Sequence, residues 1–249
     1  MQHFFVEPGQ IHDDQVSITG PDVKHMKQVL RMKEGEEFSV SNGTDGKEYF
    51  CRITEIGTEE IKGSVEHISG DSRELPVRIH LFQGLPKSDK MELIIQKAVE
   101  LGVYEIIPMK TARCIMKVED SKEKKKLERW NGISEAAAKQ SKRGIIPEIC
   151  GVISFKEALN RASAMDVKMI PYEDARGMTY TREVLDKIKP GQDVAILIGP
   201  EGGFEESEVE AAKTLGIESV TLGKRILRTE TAGFTAIAWV AYRTEQDEI

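Results

Sequence analysis

The run Val194-Ala195-Ile196-Leu197-Ile198 is apolar at every position and ends at Gly199-Pro200. A strand with one solvated face alternates apolar and polar residues. A strand that is apolar throughout must be covered on both faces, which calls for helices above and below a parallel sheet. Val167-Lys168-Met169-Ile170 reads the same way, and Val77 to Phe82 reads as a further strand. Helical patterns lie between them: Lys90 to Leu101 closed by Gly102, about Ser121 to Ser141, and segments near 154–163, 180–188 and 205–215. Strands at Ile106-Ile107 and Ser219–Leu222, then a last helix from about Ala232 to Thr244, complete an α/β domain with a largely parallel sheet.

Before residue 77 the rhythm differs. Glu37–Val40, Glu48–Ile53 and Ile61–Val65 roughly alternate polar and apolar residues, and Asn42-Gly43-Thr44-Asp45-Gly46 between two of them is a hairpin signal. One helix is expected, Asp22 to Leu30, with Pro21 near its start. Polar Ser69 to Glu74, followed by Pro76, reads as a linker. The expected domains are therefore 1–72, a small β-barrel, and 76–249, the α/β domain.

Several classes drop out on simple grounds. No run approaches the roughly 18 consecutive apolar residues of a membrane helix, and Met1 to Pro8 is not a basic-then-apolar signal, so a cytoplasmic protein is expected. Cys51, Cys114 and Cys150 form no C-x-x-C pair, which leaves neither a disulfide framework nor a structural-zinc spacing. The five histidines (His3, His12, His25, His67, His80) all precede residue 81, so chemistry in the rest of the α/β domain runs without one. The net charge of −7 argues against nucleic acid, but residues 110–145 carry eleven basic against five acidic side chains. Phosphate binding depends on that local field. An ordinary solvated helix face explains the same lysines equally well.

Two loops leave strands at the end where open α/β sheets place ligands. Gly199-Pro200-Glu201-Gly202-Gly203-Phe204 is a rigid turn whose glycines permit close approach to the backbone. It matches neither a P-loop nor G-x-G-x-x-G, and Glu205-Glu206 after it repel phosphate, which disfavours a nucleoside triphosphate or NAD. The second loop, Leu222 to Ala232, carries Ile226 and Leu227 among charges; they cover either the core or a ligand. The small residues of Thr231 to Trp239 suit tight packing against another helix, in the same chain or in a second copy.

These residues resemble a known family. Gly199–Phe204, followed by Leu222-Gly223-x-Arg225-Ile226-Leu227-Arg228-Thr229-Glu230-Thr231-Ala232, is similar to the cofactor loops of the RsmE family, the 16S ribosomal RNA uracil-N3 methyltransferases of the SPOUT (trefoil-knot) superfamily. Lys97–Val103, Glu135-Ala136-Ala137, Gln140-Ser141, Arg143, and His25 with Val29-Leu30-Arg31 extend the likeness along the chain in order. Cys114 stands where serine is expected, Lys139 where the family is often acidic, and His3 near a usual arginine.

The resemblance implies a SPOUT-type knotted methyltransferase domain preceded by a PUA-like RNA-binding barrel, no metal, and a homodimer acting on 16S rRNA of the small ribosomal subunit. It implies S-adenosylmethionine held by Ile198, Gly199, Pro200, Glu201, Gly202, Gly203, Leu222, Gly223, Ile226, Leu227 and Arg228. The uracil imide must lose its proton. Arg228 is the expected stabiliser of the developing oxyanion and Glu230 the expected base or orienting group, with Glu201 the competing carboxylate. An ion pair or helix cap is the other reading of each. Because N3 lies on the pairing edge, the target uridine is unpaired or flipped. His25, Arg31, Arg113, Gln140 and Arg143 are the expected RNA contacts, with Lys117, Lys124, Lys125, Lys126, Arg129 and Lys139 as further phosphate partners. A knotted enzyme acting on another RNA or on ribose 2′-OH, and an inactive ribosome-assembly protein, are the alternatives.

Overall fold

The computed structural model describes residues 1–69, 73–87, 90–115, 120–173 and 176–245; Lys117 lies outside them. The chain divides into two compact units, Met1–Glu74 with Ala138–Ile146, and Leu75–Ala137 with Pro147–Ile249.

The first unit is a six-stranded sheet built from β1 (Gln2–Phe5), β2 (Ile11–His12), β3 (Gln15–Thr19), β4 (Glu37–Ser41), β5 (Glu48–Ile56) and β6 (Glu60–Ser69). Its order is β1-β4-β5-β6-β3-β2, antiparallel except for the β1–β4 pair. The alternating residues Val16, Ile18, Ile53 and Ile61 point inward with Phe4, Phe38 and Val40, which makes the core. The expected helix over 22–30 is interrupted. Pro21–Lys24 (α1) passes into a widened five-residue turn over His25–Val29, closed by Leu30 N–H donating to the His25 carbonyl at 3.0 Å. The extra residue turns Val29 out to solvent while Met26 and Met32 stay buried, and Arg31 follows at φ 54°.

The second unit is an all-parallel sheet of β7 (Arg78–Gly84), β8 (Glu105–Lys110), β9 (Glu148–Ile149), β10 (Ile153–Ser154), β11 (Val167–Pro171), β12 (Asp193–Ile198) and β13 (Glu218–Val220). The order is β10-β8-β7-β12-β11-β13, with β9 paired to β8. Its helices among the described residues are α2 (Lys90–Glu100), α3 (Asp120–Ser141, whose residues from Ala138 on belong to the first unit), α4 (Phe155–Ser163), α5 (Met178–Leu185), α6 (Glu206–Thr214) and α7 (Thr229–Thr244). Val194 to Ile198 are buried without exception, as a strand covered on both faces requires. Helix α4 opens with a capping box in which the Ser154 hydroxyl accepts from Glu157 N–H and the Glu157 carboxylate accepts from Ser154 N–H. Among the described residues no helix is long and apolar enough to cross a membrane.

The amino ends of the strands are closed by a charged network. His80 of β7 places one ring nitrogen against Glu105 and the other 2.8 Å from Asp193. Arg78 grips Asp193 at 2.6 and 2.9 Å, and Arg161 grips Glu105 at 2.6 and 2.5 Å. Cys150 donates to Glu105 as well, and burial together with that carboxylate pushes its thiol up to about 11. The chemistry-bearing side chains at this end are thus spent on holding strands together. The carboxyl ends of the strands are where the sheet leaves room.

Candidate active site

Strand β12 ends in the glycine loop, whose tight turn is closed by Gly203 N–H donating to the Pro200 carbonyl at 2.9 Å. The glycines meet a packing demand of the loop itself. A Cβ on Gly199 would stand 3.0 Å from the Gly203 backbone, and one on Gly202 3.1 Å from the Arg113 side chain. On the neighbouring strand, a Cβ on Gly84 would come within 2.7 Å of Pro200 N and Cδ. The end of β7 and the loop after β12 approach so closely that only glycine fits at position 84. Phe204, buried against Phe155 with ring centroids 5.6 Å apart, anchors the far side of the loop.

The second loop is tied to the first by a short polar chain. Gln83 Nε2, fully buried, donates to Thr229 Oγ1 at 2.9 Å, and Thr229 Oγ1 donates to the Gly199 carbonyl at 2.6 Å. Thr229 is the first residue of α7, so the helix begins inside the loop, three residues before the sequence pattern indicates. The helical periodicity of apolar residues starts only at Ala232, because the first turn spends its side chains on these loops.

Between the loops lies a cavity of about 590 Å³, within the range of roughly 300–1,000 Å³ that small-molecule sites occupy. Ile198, Pro171 and Leu227 supply apolar wall, the backbone of Gly199–Gly203 one side, and Arg113, Glu173, Glu201, Arg228 and Lys90 the charges. Ile198, Gly199, Pro200, Glu201, Gly202, Gly203, Ile226, Leu227 and Arg228 therefore meet at one place. Leu222 and Gly223 are not among the residues that line it. Ile226 is 97% exposed at the rim.

The two carboxylates have different surroundings. Glu201 accepts from Lys87 N–H at 3.1 and 3.2 Å, and Lys90 Nζ stands 3.0 Å from it. Burial disfavours its charge, but its own backbone N–H, Lys90 and Lys87 outweigh that and hold its carboxyl below the usual value. Glu230 Oε2 is buried and has no hydrogen-bond partner among the described residues; Lys90 Nζ is 3.6 Å away. The two differ in place as well: Glu201 lines the cavity and is occupied, whereas Glu230, next to Thr229, is not among the lining residues and its Oε2 is closed to solvent.

The expected RNA contacts fall in different settings. Arg113 donates to the Gly202 carbonyl at 2.9 Å and lines the cavity; its segment is fixed by Ala112 N–H donating to buried Glu208 at 2.9 Å. His25, Arg31 and Gln140 are exposed in the first unit. Arg143 is buried, its side chain 4% exposed, and grips Glu74, which also accepts from Gly144 and Ile145 N–H. The structure thus gives Arg143 a packing role in place of a solvent-facing one. Lys90, Tyr172 and Glu173 at the cavity escape the sequence pattern. The available signal is positional: each follows the carboxyl end of a strand, β7 or β11, that neighbours β12.

The residues fit S-adenosylmethionine. A sulfonium ligand calls for apolar walls with carboxylates nearby, and here Glu173 and Glu201 face the cavity without any phosphate-cradling loop. Among the described residues no group of three or more His, Cys, Asp or Glu is arranged to hold a metal ion.

Comparison with known proteins follows the same division. Residues 73–241 match the RNA methyltransferase domain model, and residues 18–66 match the RNA methyltransferase PUA domain. The chain is 37% identical over 251 residues to the ribosomal RNA small subunit methyltransferase E of Bacillus subtilis, covering 98% of each. The crystal structure of ribosomal RNA small subunit methyltransferase E from Neisseria gonorrhoeae bound to S-adenosyl methionine superposes with a TM-score of 0.81 at 33% identity, over 96% of this chain and 95% of that one. A Legionella pneumophila putative methyltransferase, in complex with bound cofactor SAM, gives 0.79 at 32% identity over 96% of each. With a PUA-type unit followed by a parallel α/β unit whose two loops enclose one cavity, and with likeness along nearly its whole length, the chain belongs to the ribosomal RNA small subunit methyltransferase E family.

Proposed function

We propose that this protein transfers a methyl group from S-adenosylmethionine to N3 of a uridine in 16S rRNA of the small ribosomal subunit. The observation that carries the reading is the junction of the two loops, Gln83 to Thr229 to the Gly199 carbonyl, beside a cavity of nucleoside size. When bound, S-adenosylmethionine supplies an electrophilic methyl on a sulfonium; N3 gives up its proton and shares its electron pair with the methyl carbon, while the carbon–sulfur pair returns to sulfur.

The chain's own residues do three things. The backbone of Gly199–Gly203, with Ile198 and Leu227, binds and orients the cofactor, and positioning is a large part of an in-line displacement. Glu230, which follows Arg228 and Thr229 of the cavity wall, accepts the N3 proton. Arg228, the residue before α7 and on the cavity wall, stabilises negative charge on the imide oxygens. Domain 1–72 acts as the PUA-like RNA-binding element and 76–249 as a trefoil-knotted catalytic domain. His25, Arg31 and Gln140 contact RNA, and Lys124, Lys125 and Arg129 on the exposed side of α3 meet phosphate. The enzyme works as a homodimer in the cytoplasm. Gly233, Ala236, Ile237 and Val240 bury one side of α7, whereas Tyr242 is 87% exposed and Phe234, Ala238 and Trp239 are only half-buried, an apolar face suited to a second copy.

Labelled S-adenosylmethionine, small subunits from a strain lacking the gene, naked rRNA and transfer RNA test the reaction. Label in small-subunit RNA with a reverse-transcription stop at one uridine is the expected result. Label without a stop points to ribose or another non-pairing position and overturns the N3 assignment.

A further inference from the structure

We propose that Lys90 is a positioning residue for methyl transfer: it neutralises Glu201 and so leaves the charge of Glu230 available to the uracil proton. The proposal rests on the N3-methylation reading above. The ammonium stands between two carboxylates brought in by different segments, 3.0 Å from Glu201 Oε1 and 3.6 Å from Glu230 Oε2. The first distance is a close ion pair and the second a looser one. Lys87 N–H completes the set on Glu201, so that carboxylate serves as the anchor which holds Lys90 in place.

A buried carboxylate oxygen with no donor is costly to maintain. At Glu230 the ammonium of Lys90, 3.6 Å away, offsets part of that cost. Lys90 is also the first residue of α2, where the positive end of the helix dipole adds to the field on both carboxylates.

Charge accounting gives Lys90 its role. Lys90 and Glu201 cancel, and the remaining negative charge on Glu230 balances the cofactor's sulfonium. Both disappear together as the N3 proton settles on the Glu230 carboxylate and sulfur becomes a neutral thioether. These four groups sum to zero before and after the step. Without Lys90 the charge of Glu201 is left uncompensated, and that surplus negative charge holds the sulfonium more firmly before the step than during it, when the positive charge is disappearing.

The test uses the full-length protein with Lys90→Met and Lys90→Arg. Affinities for S-adenosylmethionine and for its neutral thioether product are measured by calorimetry, and kcat and KM are measured on small subunits. Lys90→Met is expected to lower kcat at least about tenfold with little change in KM for the subunit. It should also raise the ratio of sulfonium to thioether affinity by about threefold or more, because surplus negative charge attracts only the cation. Lys90→Arg should recover most of kcat. A kcat within about twofold of the parent in Lys90→Met overturns the proposal. So does an equal loss of both affinities together with a lower melting temperature, the signature of a purely structural tie. If the parent protein labels no uridine, the N3 reading fails on its own, and the affinity ratio still decides the role of Lys90.

Discussion

Removing Glu74 should cost the first unit a large part of its stability, and the structure sets the size of the effect. Its carboxylate accepts from Arg143 Nε at 3.1 Å, from Arg143 Nη2, from Gly144 N–H at 2.9 Å and from Ile145 N–H at 3.3 Å. The two side chains are 15% and 4% exposed, so water cannot replace the lost partner of the guanidinium. Stranding one member of a buried ion pair costs about 3–5 kcal/mol. At roughly 2–4 °C per kcal/mol for a chain of this size, Glu74→Ala should melt about 6–20 °C below the parent in a circular-dichroism scan. The double variant Glu74→Leu/Arg143→Met should be less destabilised than either single change, because no charge is then left buried. A melting temperature within about 2 °C of the parent for Glu74→Ala refutes the argument. An Arg143→Met variant that melts normally but binds small subunits weakly would return Arg143 to the RNA surface.

Other outcomes follow from the same contacts. Thr229→Val removes the donor to the Gly199 carbonyl and the acceptor for Gln83, a loss of about 1–3 kcal/mol. It should weaken cofactor binding in calorimetry, with Thr229→Ser restoring it; unchanged affinity in Thr229→Val excludes the tie. Asp193 is held at about 2, mainly by Arg78 and also by His80, against the opposing effect of burial. Because its folded value is depressed, its stabilisation is complete above the ordinary 3.8 and is lost as the pH falls from there to about 2. Glu105 adds to the loss in the same direction: burial opposes its charge, but His80, Arg161 and Cys150 overcome it. Urea titrations of Asp193→Asn should therefore lose less stability between pH 6 and pH 3 than the parent does, and an equal loss would exclude Asp193 as a source. Tyr242→Asp on the exposed side of α7 should turn a dimer into a monomer in sedimentation velocity, and an unaltered species would place the subunit contact elsewhere.

Local pattern carried the architecture a long way. The uniform apolarity of Val194–Ile198 dictated a strand covered on both faces, and the alternation before residue 77 dictated a separate, antiparallel unit. The glycine loop and the Arg228-Thr229-Glu230 segment were legible as well, since each combines residue types with no reason to coincide in an ordinary turn. A helix expected over 22–30 breaks into a widened turn because burial of Met26 and Met32, rather than periodicity, sets the path there. Arg143 carries the same charge whether it faces solvent or Glu74; only the folded chain brings Glu74 to it. Lys90, Tyr172 and Glu173 belong to the cavity because β7 and β11 flank β12, an order created by long crossovers and invisible to any local window. Sequence determines which segments become strands and helices, because burial on one face or two is written in residue spacing. Tertiary structure alone decides which strand ends meet, which carboxylate lines the cavity and which does not, because those depend on distances between residues more than a hundred positions apart.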